Sequence, residues 1–146
     1  MLESEPAFCP ECGAPGSACR ARFQQFLALE FERPAYGGVH HLTVATFILQ
    51  HSSNLTREGW LQERQLLQRF LINGETPAEV RREAGNRIDS RSHPFKITSR
   101  AGKPLHDRSR WTNTIMDVRE QDAVVYCRDV EKWARATLED SQVIRV

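Results

Sequence analysis

Cys9 and Cys12 stand at C-x-x-C spacing in the stretch CPECGAPGSAC, with Gly13 directly behind them and Cys19 at its end. Thiolates at that spacing can point at one ion, and the glycine relaxes the turn between them. Zn²⁺ takes about four nitrogen or sulfur ligands in a tetrahedron. A zinc ribbon would supply a second C-x-x-C, and this chain has none. Cys19 is the natural third ligand, because it opens a helix whose N-terminal dipole favours a thiolate. Its plain alternative is a buried core thiol. The fourth ligand must come from His40, His41, His51, His93, His106 or Cys127. His40 and His51 lie eleven positions apart on one apolar helix, an axial rise of roughly 16 Å. Ligands of one zinc are only about 3–4 Å apart, so at most one of the two completes the site.

The elements around these residues choose between them. Ser17 is placed to cap a helix that runs to Arg33 and stops at Pro34, with Phe23, Phe26, Leu27 and Phe31 as its buried stripe. PAYGG reads as a turn. VHHLTVATFILQH is apolar nearly all round, as a helix buried on most sides would be. A short connection makes the two helices antiparallel, which returns the end of the second to the start of the first. His51 then lies beside Cys19, and His40 and His41 sit at the opposite end. The expected ligand set is Cys9, Cys12, Cys19 and His51. His51 has a competing role as a cap of its helix C-terminus, where an imidazolium is favoured. Three thiolates and an imidazole fill the coordination sphere, so the expected zinc is structural, whereas catalytic zinc keeps a position open. No H-x-E, HExxH, Walker loop or GxSxG elbow occurs to argue for a reaction.

Further along, Thr56 caps REGWLQERQLLQRFLI, which ends at Asn73-Gly74 with the glycine as its C-terminal stop. Thr76, Pro77 and Glu79 form a capping box for the next helix, whose stripe is Val80, Ala84 and Ile88. FKIT and WTNTIM alternate in the strand manner and read as a short β-hairpin near 95–116. Asp117 and Glu120 form a second capping box before VREQDAVVYCRDVEKWARATLED, with Ala123, Cys127, Val130 and Ala134 facing inward beside Tyr126 and Trp133. Trp60, Trp111 and Trp133 belong to the core. The expected fold is mostly α: a bundle of about five helices in a single domain over 1–146, with a cysteine-bearing segment over 1–19 and a helical body over 20–140.

Two other clusters can do chemistry. Tyr36, His40 and His41 make a candidate polar site at the far end of the bundle, the basis of an enzyme reading with no reaction attached. Its plain alternative is a histidine pair at a helix start. Arg91, Lys96, Arg100, Lys103, Arg108 and Arg110 face one acid, Asp107, giving the segment 90–110 a local charge of +5. Such a patch can meet a phosphate or nucleic acid, or it is a solvated loop, the favoured reading. ETPAEVRREAG resembles the first half of a helix-turn-helix but lacks a recognition helix behind it. The whole chain of 146 residues carries 20 basic and 19 acidic side chains, net +1, which disfavours a general polyanion binder. Its 40% hydrophobic content suits a packed domain. The opening MLESEPAF is acidic and reads as no signal peptide, and no run approaches the about 20 apolar residues of a membrane span. The expected compartment is the cytoplasm, where thiols stay reduced.

Taken together, CPECGA, the following cysteine, YGGVHHLTVATFILQHSS and WTNTIMDVREQDAVVYCRDVEKWARA resemble a bacterial domain-of-unknown-function family. Its pattern runs CPxCG, Cys, VHxLTVxxYxxQHP and a closing W…T..DV…VxxWA. The resemblance covers most of the chain and places Cys9, Cys12, Cys19, His40 and His51 on family positions. It implies a shared fold and metal site and no particular activity. Ser52 replaces the pattern's proline, and the segment after Thr56 lacks a histidine found in many members.

Overall fold

The computed structural model describes residues 7–89 and 111–143. The order is α1 (Ala18–Glu32), α2 (Pro34–Gly37), α3 (His40–Gln50), α4 (Arg57–Leu71), α5 (Pro77–Asp89), a 3₁₀ turn (Ile115–Asp117) and α6 (Ala123–Ser141). The fold is mostly α, as the periodicity predicts. Helix α3 is central and packs most extensively against α4 and α6. Accordingly it buries Leu42, Thr43, Ala45, Thr46, Phe47, Leu49 and Gln50 around most of its circumference. Its buried amide is satisfied across the bundle, since Gln50 Nε2 donates to Asn113 O at 2.8 Å and Thr137 Oγ1 at 2.9 Å.

The caps of the middle helices follow the sequence. Thr56 Oγ1 accepts from Gly59 N–H at 3.0 Å, and Thr76 Oγ1 from Glu79 N–H at 3.2 Å. Gly74 takes φ 68° just after α4, a conformation cheap only for glycine. All three tryptophans are buried, and the Trp60 indole donates to Leu49 O at 3.0 Å.

Four local expectations are corrected. Helix α1 turns Phe31 out to solvent, 92% exposed, and turns Glu30 in. The two are about 100° apart round a helix, and Glu30 finds two buried hydroxyl donors, Thr43 and Tyr126, and the half-exposed His40, which fix the rotation. PAYGG contains a short helical turn, α2, which packs so closely on α1 that a Cβ at Gly37 would meet Glu30 O at 2.9 Å. Trp111–Met116 is no strand: Thr114 and Asp117 form a capping box around the 3₁₀ turn. FKIT, its expected partner, lies outside the described residues. The last helix starts at Ala123, later than expected, because Asp122 caps it by accepting from Val124 and Val125 N–H. Arg22 ties that turn to α1 by donating to the carbonyls of Ile115 and Val118. Val80 is half-buried, while Ala84 and Ile88 of its stripe lie outside the described side chains.

Candidate metal centre

The N-terminal segment forms a tight knuckle. Cys9 N–H donates to Ala14 O at 2.7 Å, and the Cys9 carbonyl accepts from Gly13 N–H at 2.9 Å. Gly13 takes φ 84° and Gly16 φ 53°, so both turns use the left-handed region where a side chain would be strained. Gly16 N–H closes the loop on Ala7 O, and α1 then starts with Cys19 one residue inside it.

The knuckle folds against the end of α3. Cys9 Sγ, Cys12 Sγ, Cys19 Sγ and one ring nitrogen of His51 all lie within 4.8 Å of one another. The three cysteines are 6%, 5% and 1% exposed. This spread is slightly wider than the about 3.8 Å edge of a zinc–thiolate tetrahedron. His51 is both a helix cap and a member of the cluster. Its backbone N–H closes α3 on Phe47 O, and its Nδ1–H donates to the same carbonyl at 2.8 Å. Phe47 stacks on the imidazole at 3.9 Å between centroids. The buried Nε2 has no nitrogen or oxygen partner. With Nδ1 holding its proton, Nε2 is the nitrogen free to bind an ion, the arrangement typical of metal-ligating histidine.

The electrostatics of the four groups are strongly linked. The hydrogen bond from Cys12 pulls the Cys19 thiol down to about 4; burial opposes this and His51 assists it. Cys12 is pushed up, first by donating that bond and then by burial. Burial is the largest influence on Cys9, yet hydrogen bonds from His51 and the knuckle backbone outweigh it and hold the thiol below its ordinary value. Burial likewise pulls His51 down, but its contacts with Cys19 and Cys9 win and raise the imidazole to about 9. A divalent cation would take the place of the protons shared in this network. The donor set of three sulfurs and one imidazole suits such an ion.

Glu11, between the paired cysteines, was not legible as a site residue. It is 3% exposed; its carboxylate accepts from Ser53 N–H at 2.8 Å and Ser53 Oγ at 3.4 Å. Its carbonyl accepts from the Trp111 indole at 3.1 Å. Those bonds hold the knuckle to the α3–α4 loop and to the segment before α6. An acid inside a C-x-x-C pair is a signal for such a tether only once the loop is known to pass beside it.

The other candidates go elsewhere. Cys127 is half-buried and lies against Ala35 O at 3.5 Å. Tyr36, His40 and His41 diverge. The Tyr36 hydroxyl donates to Glu120 O at 3.0 Å, and His41 packs edge-on against Phe70 at 4.6 Å. Burial first and His40 second lower the His41 imidazole. His40 turns to Glu30, with Nδ1 at 2.8 Å from Oε1. His93, His106, Arg91, Lys96, Arg100, Lys103, Arg108 and Arg110 lie outside the described residues.

None of the described helices is long and apolar enough to cross a membrane. No curated protein and no solved structure matches the chain. The family model does: the knuckle and the helices described above fall within residues 7–142, the span matched by the family of unknown function DUF5946, and the chain belongs to that family.

Proposed function

We propose that Cys9, Cys12, Cys19 and His51 hold one structural Zn²⁺ that pins the N-terminal knuckle to the end of α3, in a domain that serves as a binding or regulatory module. The reading rests above all on one observation, the buried meeting of four ligand atoms within 4.8 Å. The His51 Nδ1–H bond to Phe47 O supports it by leaving Nε2 as the metal-facing nitrogen. Sulfur-rich sets favour zinc over the hard cations. With four protein ligands the ion would have no vacant position, which supports a structural role. A single family match over 7–142 supports one domain, and the free cysteines support a reducing compartment such as the cytoplasm.

Metal analysis of purified protein tests this directly. About one zinc per chain is expected, and a strong chelator should lower the Tm, because ion binding and folding are coupled at such sites. Protein purified without any metal whose Tm does not change on adding zinc would sink the proposal.

A further inference from the structure

At the opposite end of α3 from the cysteines lies a second cluster that the metal reading does not use. Glu30 on α1 is buried, its side chain 1% exposed. Its Oε2 accepts from the Thr43 hydroxyl at 2.5 Å and the Tyr126 hydroxyl at 2.5 Å. Its Oε1 faces His40 Nδ1 at 2.8 Å. Burial, followed by Glu30, pushes the Tyr126 phenol up, so that hydroxyl stays a donor. Two hydroxyls fix one carboxylate oxygen and leave the other to the imidazole.

The imidazole differs from its partner in exposure. The His40 side chain is 54% exposed. Here Nδ1–H is engaged on the carboxylate, and Nε2 is the nitrogen left to meet water. A carboxylate on Nδ1–H fixes the tautomer in which Nε2 carries the lone pair, as the orienting acid does in catalytic triads. His40 also begins α3, whose N-cap, Val39, has no side-chain capping bond. The positive end of the helix dipole therefore lies beside the base.

We propose that Glu30 and His40 form a proton-transfer dyad in which His40 Nε2 is a surface general base acting on acyl groups of small esters or thioesters. His40 is the catalytic residue, and Glu30 is a positioning residue behind it. In the step, Nε2 takes a proton from water as the water oxygen bonds to the acyl carbon, and the carbonyl π electrons move onto its oxygen. That oxyanion then collapses, the bond from carbon to the alcohol or thiol breaks, and Nε2–H returns its proton to the leaving group. A carboxylic acid and an alcohol or thiol result. The site is separate from the cysteine cluster, so the inference does not depend on zinc.

The test uses the purified full chain and p-nitrophenyl acetate. Hydrolysis catalysed by the wild type should fall about tenfold or more in His40→Ala, with both chains assayed well below their Tm because the substitution removes the partner of the buried Glu30 Oε1. His41→Ala should hydrolyse at the wild-type rate. Nitrogen-15 NMR of the wild type should show His40 protonated on Nδ1 when neutral. In Glu30→Gln that preference should weaken and hydrolysis should drop with it. If Glu30→Gln does not fold, the His40→Ala rate and the wild-type tautomer still decide. Equal hydrolysis by wild type and His40→Ala, or a neutral His40 protonated on Nε2, overturns the dyad.

Discussion

His51 illustrates how much depends on a single ring. Its backbone closes α3, its Nδ1–H bonds Phe47 O, and one of its ring nitrogens lies within 4.8 Å of three sulfurs. If those sulfurs and Nε2 hold zinc, His51→Ala and Cys19→Ser should each lose the ion and destabilise the chain by about 3 kcal/mol or more. Metal content and denaturant midpoint check this together. His40→Ala should keep its metal, and loss of metal from that variant would place the site at the wrong end of α3. The cysteine types and their spacing were readable as candidate ligands directly, because C-x-x-C geometry is local, and the structure brings them together with His51. Glu11 and Glu30 were not readable. A carboxylate is buried only where distant donors await it, here Ser53 for one and Thr43, Tyr126 and His40 for the other.

The helices were placed well where Thr56 and Thr76 mark them, but not where Asp117 and Glu120 suggest a capping box, since Asp117 pairs with Thr114 and Asp122 caps the last helix. Thr56 is the clearest case, and Thr56→Ala should cost about 1 kcal/mol by leaving the first turn of α4 without its acceptor. Thermal or urea unfolding reads that loss. The short α2 was missed because Pro34 both ends one helix and begins the next, and a proline at the first helical position fits either reading. Its contact on α1 is close at Gly37. Gly37→Ala puts a methyl 2.9 Å from Glu30 O, and the backbone shift it forces should cost about 1–3 kcal/mol. Stability equal to wild type in that variant would mean that α2 packs less closely than described. The α1 stripe failed for a related reason. Phe23 and Phe26 do face inward and Phe31 does not, since the rotation of α1 is set by Cys19 at one end and Glu30 at the other.

Across the molecule, long-range polar bonds join segments that apolar packing alone would leave loosely defined. Arg22 bonds the 3₁₀ turn, Gln50 spans to the segment before that turn and to α6, and Arg119 pairs with Asp129 on α6 through two guanidinium bonds and a backbone N–H. The last pair makes a pH prediction. The hydrogen bonds from Arg119 hold the Asp129 carboxyl below its ordinary value. A carboxyl lowered in this way stabilises the fold at pH values above its unfolded pKa of about 3.9. That contribution disappears as pH falls through the lower folded value. Asp129→Asn should therefore be less stable than wild type at pH 7, and the difference should narrow below about pH 4. Measuring both chains across the same pH series removes the acid response they share. A gap that stays constant down to pH 2 would mean that the carboxylate charge contributes nothing.

What the amino-acid order determined by itself is what acts over a turn or less: the C-x-x-C knuckle with its glycines, the caps at Thr56 and Thr76, the apolar girth of α3 and the mostly helical class. Each depends on neighbours within a few residues, so each is written in the local pattern. The tertiary structure alone decided which face of α1 is buried and that Glu30 meets Tyr126 across 96 positions. A helical period defines a stripe only to within a residue or so. Where an acid and a phenylalanine compete for the inside, the partners brought by distant helices choose.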